Sequence, residues 1–328
     1  MDQPKILITG GTGFAGSHLV EALVVQGYKN IHVTSFSGDS SFMEKLIGIE
    51  NIHQLDLTKR EDTESLIKQL QPTQIYHLAS FAYVGKSFEK AEELLSNNIS
   101  LQLNLLKAVK EFSPKTRLLV IGSAEEYGVS LSDDEIPCDE DHKFRPINPY
   151  AVSKITQDML AYVYFISFNL DIVTVRPFNH IGERQSSDFA IPAFINQVVA
   201  IERGEQEKLM VGNLDAIRDF TDVKDMVKAY IIVMNNGKKG EVYNIGSGIG
   251  VRMSEIVQKL VLLSTKHIVI EVDKSRFRPQ DIPKMVVNND KIKSLGWSPK
   301  IFLDDSLLRI IEFARSSGRT TEGKINNS

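Results

Sequence analysis

Lys5-Ile6-Leu7-Ile8-Thr9-Gly10-Gly11-Thr12-Gly13-Phe14-Ala15-Gly16-Ser17-His18-Leu19-Val20 runs from a short apolar segment through glycines into a helical pattern that carries Leu19, Val20 and Leu23. This order is strand, tight loop, helix. The glycines satisfy both G-x-G-x-x-G (Gly11, Gly13, Gly16) and the three-spaced form Gly10, Gly13, Gly16. Without side chains they let the backbone approach a pyrophosphate at the positive end of the helix dipole. A glycine turn can be merely structural, but a strand before it and a helix after it are the setting in which dinucleotides bind.

Downstream, apolar runs near 31–36, 73–79, 117–121 and 171–175 alternate with helical patterns at about 61–69, 96–112 and 150–168. Such alternation predicts an α/β fold, a Rossmann-like doubly wound parallel sheet. From about Pro177 the pattern loosens into segments punctuated by glycine and proline, with helices near 191–203, 223–235, 253–264 and 304–316. The expected division is a dinucleotide-binding domain over 1–176 and a smaller C-terminal α/β lobe, mainly substrate-binding, over 177–316. Some segments of that lobe are expected to return to the first domain, and 317–328 is a polar tail.

Composition narrows the class. The 328 residues suffice for a substantial core, and 42% hydrophobic content with a net charge of −4 speaks against disorder and against a nucleic-acid surface. The N-terminus enters the first strand without a leader pattern, and no apolar stretch approaches a membrane span, so a cytoplasmic protein without membrane association is expected. A lone cysteine, Cys138, allows neither an internal disulfide nor a thiolate cluster, and no metal is expected.

An open parallel sheet leaves its crevice at the carboxyl ends of the strands. The second strand ends Val33-Thr34-Ser35-Phe36-Ser37-Gly38-Asp39, with neither an acid at its tip for a ribose 2′-hydroxyl nor an arginine for a 2′-phosphate. NADP(H) and NAD(H) both remain open, with the hydroxyls of Ser35 and Ser37 inclining toward NADP(H). Asp56-Leu57 is either an adenine-edge contact or an ordinary aspartate before a turn. The fourth strand ends Ile121-Gly122-Ser123-Ala124-Glu125-Glu126-Tyr127-Gly128, where Ser123 can serve a substrate oxygen or cap a helix. Asn148-Pro149-Tyr150-Ala151-Val152-Ser153-Lys154 puts a phenol and an ammonium one helical turn apart. A cation beside a tyrosine favours the phenolate, so a lowered Tyr150 pKa is expected. The ordinary alternative is a half-buried ring and a solvated amine.

With the glycine turn, Ser123 and Tyr150-x-x-x-Lys154 in place, the chain resembles the extended short-chain dehydrogenase/reductases, the nucleotide-sugar epimerase and dehydratase superfamily, from Lys5 to about Arg315. The resemblance implies that Tyr150 exchanges the proton, that Lys154 lowers its pKa and holds the nicotinamide ribose, and that Ser123 bonds the reacting oxygen. It further implies dinucleotide contacts at Gly10, Gly13, Phe14, Ala15, Gly16, Ser35, Asp56, Leu57, Leu78, Ala79 and Pro177. Gly122–Gly128, Arg176-Pro177-Phe178-Asn179-His180-Ile181-Gly182, Val211-Gly212-Asn213-Leu214 and Arg218-Asp219-Phe220-Thr221-Asp222-Val223 look like GDP-4-keto-6-deoxy-D-mannose reductases, which form GDP-D-rhamnose. GDP-mannose 4,6-dehydratases are the near relatives.

That likeness implies NAD(P)H-dependent reduction at C4, with substrate contacts at Ser123, Glu125, Asn179, Val211, Arg218 and Arg278. The guanidinium forks would hold the diphosphate; as plain residues, both arginines read equally as surface ion pairs. It also implies a homodimer through a four-helix interface of the helices at 96–112 and 150–168, whose alternative is packing within one subunit. Two departures bear on specificity. Gly182-Glu183-Arg184-Gln185 replaces Gly-Pro-Gly-Gln and adds charge to a loop expected near the sugar. Ala124 stands where dehydratases carry Asp or Ser, whereas Glu125 matches the dehydratase base, so elimination and epimerisation stay open. A non-catalytic sugar-nucleotide sensor is disfavoured because it would not need the Ser-Tyr-Lys trio.

Overall fold

In the computed structural model, which describes residues 3–36, 40–82, 85, 87–130, 132–277 and 281–317, the apolar run at the N-terminus is β1 (Ile6–Thr9), buried at every position. Ser37, Arg278 and the tail 318–328 lie outside the described residues. After β1 come α1 (Phe14–Val25), β2 (Ile31–Ser35), α2 (Ser41–Ile47), β3 (Ile52–Gln54), α3 (Arg60–Leu70), β4 (Gln74–His77), α4 (Ala91–Phe112), β5 (Arg117–Ile121), α5 (Pro149–Phe168) and β6 (Asp171–Pro177). The second half adds β7 (Asn179–Ile181), α6 (Ala190–Arg203), β8 (Lys208–Val211), β9 (Ile217–Asp222), α7 (Val223–Asn236) and β10 (Val242–Ile245). It finishes with β11 (Gly250–Arg252), α8 (Met253–Leu263), β12 (Val269–Val272), β13 (Lys284–Met285), α9 (Asp290–Lys293) and α10 (Leu303–Ser317).

Seven strands form one parallel sheet in the order β10-β6-β5-β4-β1-β2-β3, the doubly wound arrangement expected of a dinucleotide-binding sheet. The inner strands β1 and β5 are mostly apolar because helices cover both faces. The period of two divides them between two cores: Ile6, Ile8 and Leu119 pack with residues of α1 and α7, whereas Leu7, Leu118 and Val120 pack with residues of α3, α4 and α5. Each fully buried Leu or Ile contributes roughly 1.5–3 kcal/mol of apolar transfer. The chain returns late to this sheet, as β10 pairs with β6 in the register Val242↔Thr174 through Ile245↔Pro177.

The remaining strands make two small sheets, β11-β9-β13 with β7 on β9, and β12-β8. Residues of α6, α8 and α10 pack together under them around Ile195, Ile256 and Ile310. Among the described residues no helix is long and apolar enough to cross a membrane. Boundaries differ from the expected ones in two places that matter for the site. The expected strand 73–79 ends at His77, so Leu78 and Ala79 lie in the loop beyond it, and the helix expected from 96 starts at Ala91.

Candidate active site

The first strand-loop-helix turn has the shape that a dinucleotide requires. Gly10 adopts a left-handed φ of +67°, and a Cβ there would lie 2.9 Å from Cα of Ala79. A Cβ on Gly16 would lie 2.3 Å from the carbonyl oxygen of Gly10, so the absence of one lets the loop close on the helix. Gly13 is the N-cap and offers no capping side chain. The first-turn N–H groups at Phe14, Ala15 and Gly16 thus face the loop without a side-chain acceptor, and this cradle fits a pyrophosphate.

Hydroxyls brace the turn. Thr9 Oγ1 shares a 2.8 Å hydrogen bond with His77 Nδ1 and accepts from the N–H of Ala79 at 3.2 Å. The N–H of Gly10 donates to Thr34 Oγ1, and Thr12 Oγ1 donates to Ser35 Oγ at 3.2 Å. Asp56 behaves as the aspartate of a turn, with Oδ1 accepting from the N–H and the hydroxyl of Thr58 at 2.9 and 2.7 Å. Leu57 beside it is buried.

At the end of β5 the capping reading of Ser123 holds. Its Oγ accepts from the N–H of Glu125 at 3.2 Å, capping a short turn over Ala124–Glu126, and its hydroxyl lies near enough to the Tyr150 phenol to favour the phenolate. Asn148 links the two elements. Its Oδ1 caps α5 by accepting from the N–H of Ala151 at 2.8 Å, and its Nδ2 donates to Glu125 Oε2 at 2.9 Å. Sequence reasoning misses Asn148 as a site residue, although Asn-Pro at a helix start signals such a cap.

Lys154, on the same face of α5 as Tyr150, donates through Nζ to the carbonyl oxygen of Ile121 at 2.9 Å and lies 5.9 Å from the Tyr150 ring centroid. Both side chains are buried, which sets their electrostatics. Burial pulls the Lys154 ammonium down to about 8, with the Glu126 carboxylate acting in the opposite direction. Burial and then Glu125 push the Tyr150 phenol above its ordinary value, against the pull of the nearby Ser123 hydroxyl. The expected lowering of Tyr150 is therefore not found in the protein alone, because desolvation of a phenolate outweighs what its neighbours return.

Beneath the trio lies a buried ionic network. Arg176 donates through Nε and Nη2 to Asp158 Oδ2 at 2.9 and 2.6 Å, through Nη1 to the Tyr127 hydroxyl at 3.0 Å, and sits 3.3 Å from Glu126 Oε2. Tyr127 in turn donates a hydrogen bond through its hydroxyl to Asn244 Oδ1 at 2.6 Å.

Pro177 is buried where β6 ends, opposite Ile245 of β10. Asn179 begins β7, half-buried, and the next residue, His180, stacks on Phe14 of α1 with ring centroids 5.6 Å apart. Val211 is buried at the end of β8. Arg218 on β9 pairs with Asp281 Oδ1 at 2.7 Å, while Asp281 Oδ2 accepts from Asn213 Nδ2 at 2.9 Å. Beside β8 opens a cavity of about 660 Å³ whose lining includes Gln197, Gln206, Met210 and Arg276.

The charged loop after β7 finds partners for its charges within the protein. Glu183 Oε1 accepts from Arg309 Nε of α10 at 2.7 Å and pairs with Lys224 of α7. Arg184 donates to Ser17 and Glu21 of α1 and covers the ring of Phe42 on α2 at 4.6 Å. These side chains tie elements together, a role that the sequence pattern alone does not distinguish from substrate contact.

The family model described as GDP-mannose 4,6 dehydratase matches residues 7–310. The GDP-6-deoxy-D-mannose reductase of Pseudomonas aeruginosa is 30% identical over 309 residues, 94% of this chain and 96% of that one. A GDP-mannose 4,6-dehydratase of Yersinia enterocolitica is 27% identical, over 94% of this chain and 92% of its own length. Among solved structures, that of RMD from Pseudomonas aeruginosa complexed with NADPH is similar with a TM-score of 0.84 and 28% identity, covering 96% of this chain and all of that one.

Proposed function

The chain belongs to the GDP-mannose 4,6-dehydratase family, and from that premise we propose that it is a nucleotide-sugar 4-ketoreductase, converting GDP-4-keto-6-deoxy-D-mannose to GDP-D-rhamnose with NAD(P)H. The observation that carries this reading is the gathering of the buried Tyr150 and Lys154, whose Nζ lies 5.9 Å from the phenol ring, at the end of β5 beside Ser123. Bound NAD(P)H supplies the hydride for C4. Tyr150 gives its proton to the oxygen developing at C4, and Ser123 donates a hydrogen bond to the same oxygen. The Lys154 ammonium stabilises the tyrosinate left behind.

The cradle of Gly10, Gly13, Phe14, Ala15 and Gly16 would hold the pyrophosphate, with Ser35, Asp56, Leu57, Leu78, Ala79 and Pro177 along the rest of the dinucleotide. The hydroxyl pair Thr12–Ser35, 3.2 Å apart, supports NADP(H), since it places donors and no carboxylate at the tip of β2. Asn179, Val211, Arg218 and Arg278 would hold the sugar nucleotide, its base toward the cavity beside β8. Ala124 favours reduction over elimination, having no acid or hydroxyl to help expel a C6 hydroxyl.

A second reading, GDP-mannose 4,6-dehydratase, rests on Glu125. Its carboxylate is held by Asn148 beside Ser123 and would suit removal of a C5 proton. Incubation with GDP-4-keto-6-deoxy-D-mannose and NADPH or NADH, beside GDP-mannose without added reductant, separates the two. One reduced cofactor oxidised per sugar is the expected result. Formation of the 4-keto sugar from GDP-mannose would replace the first reading by the second.

We further propose a homodimer. The exposed Val152, Met159, Val163 and Ile166 make an apolar stripe along α5, spaced as a helix requires to meet the same helix of a second copy. A cytoplasmic location accords with a need for reduced dinucleotide.

A further inference from the structure

Phe36 takes no part in the proton transfers, yet its ring stands where the dinucleotide must pass. It follows the last residue of β2, and β2 is the neighbour of β1 on the side away from β4 and β5. The glycine cradle closes at the end of β1, whereas Ser123, Tyr150 and Lys154 gather at the end of β5, two strands away. A dinucleotide held at its pyrophosphate by the cradle brings its nicotinamide to Tyr150 only by running toward β5. Its adenosine half then extends the opposite way, over β2. Phe36 is therefore on the adenine side.

A single exposed phenylalanine is ordinary on a protein surface. The setting of this one is not. Thr34 and Ser35 just before it are buried, whereas Phe36 is 61% exposed. Its ring meets that of Phe81, with centroids 6.2 Å apart and planes at 69°. Phe81 comes from the loop after β4, on the other side of β1, so the two rings meet across the end of the strand that carries the cradle. The backbone of Phe81 is clamped from below: its N–H donates to Asn98 Oδ1 at 2.7 Å and its carbonyl accepts from Asn98 Nδ2 at 3.2 Å, and Asn98 is fully buried. An edge contact of this kind backs the Phe36 ring and leaves broad apolar surface uncovered. Of the groups in a nicotinamide dinucleotide that reach past the cradle toward β2, the ribose and its phosphate are polar. Adenine alone offers a flat face to a phenyl ring.

We propose that Phe36, backed by Phe81, is the surface on which the adenine of NADPH or NADH packs. Stacking reads the base and not the 2′ substituent, so the ring supplies affinity common to both cofactors. Discrimination between them falls to the hydroxyls of Thr12 and Ser35, which are hydrogen-bonded to each other beside it. The inference rests on the dinucleotide site of the preceding reading and is independent of which sugar is reduced.

The test is fluorescence titration of NADPH and of NADH against the wild type, Phe36→Ala and Phe36→Tyr. Because the ring is exposed, the Tm of Phe36→Ala should stay within about 2 °C of the wild type. Its dissociation constants for both cofactors should rise roughly 10-fold or more and by similar factors, the loss expected when a base is deprived of an aromatic partner. Phe36→Tyr keeps the flat face and should bind both within about threefold of the wild type. Unchanged affinity in Phe36→Ala overturns the proposal. So does a loss confined to NADPH, which would put Phe36 at the 2′-phosphate instead of the base, and so does a Phe36→Tyr variant that loses as much as Phe36→Ala. A wild type that binds neither dinucleotide would remove the cradle along with the role of Phe36. One that binds both but reduces no 4-keto sugar nucleotide would remove the proposed reaction alone, and the same titrations would still decide on Phe36.

Discussion

Lys154 Nζ donates to the carbonyl oxygen of Ile121 at 2.9 Å, which pins the ammonium at the carboxyl end of β5. Its charge therefore acts on Tyr150 from a fixed position, and the useful form is the protonated one. Burial lowers that group from 10.5 to about 8. Below about 8 the ammonium is present, and above it the charge that stabilises the tyrosinate is lost. We expect kcat to fall as pH rises through about 8, well below the ordinary lysine range. A profile measured from about pH 6 to about pH 10 that stays level throughout would refute this assignment of Lys154.

Tyr150→Phe removes the proton and keeps the ring. Because Tyr150 is buried beside Ser123, the substitution should leave packing and NADPH affinity near wild type. Loss of the proton donor should reduce kcat by ~10²–10⁴-fold, the usual contribution of general acid catalysis. Steady-state kinetics with retained activity would remove Tyr150 from the proposed role.

Much of this arrangement is legible in the amino-acid sequence. Gly10 to Gly16 announce the cradle because only glycine tolerates such close backbone approach, and Tyr150 and Lys154 announce their shared face because four residues are one helical turn. The pKa of the phenol is another matter. It depends on how deeply the ring is buried and on Glu125 across the site, neither of which spacing encodes. The Glu126-Arg176-Asp158 network is hidden for the same reason: Asp158 and Arg176 are 18 residues apart and meet only when α5 packs against β6. β10 escapes notice because four residues carry little periodic signal.

Glu125→Gln distinguishes the two reactions. Asn148 Nδ2 bonds Glu125 Oε2, and glutamine can present its amide oxygen to the same donor. A reductase needs only hydrogen bonds here and should keep kcat within ~10-fold of wild type, whereas a dehydratase deprived of its base should lose ~10²-fold or more. Product analysis by chromatography reads both activities.

Gly16→Ala tests the cradle. Its Cβ would press to 2.3 Å on the Gly10 carbonyl oxygen, a backbone atom that can yield only by moving the loop. NADPH affinity should fall ~10-fold or more as the pyrophosphate cradle opens. The kcat at saturating cofactor should change far less. Fluorescence titration showing wild-type affinity would mean that the loop does not hold the dinucleotide.

Glu183 offers a prediction about stability rather than turnover. Burial alone would raise its carboxyl, but the neighbouring His18 ring, 3.8 Å from Oε2, and the Arg309 guanidinium, which donates to Oε1, outweigh burial and hold it well below the usual carboxylate range. Its side chain is only 12% exposed, so water screens these contacts incompletely. A depressed carboxyl contributes stability that is complete above its unfolded value of 4.5 and is lost as pH falls toward the folded value. Glu183→Gln should thus cost about 1–3 kcal/mol near neutral pH, through weakened ties from the loop after β7 to α1, α7 and α10. The gap in Tm between the variant and the wild type should narrow as pH drops below 4.5, because the unfolded wild type then takes up the proton that its folded form still resists. Calorimetric scans at neutral and acid pH check this, and a constant gap would mean that packing, not charge, is what Glu183 contributes.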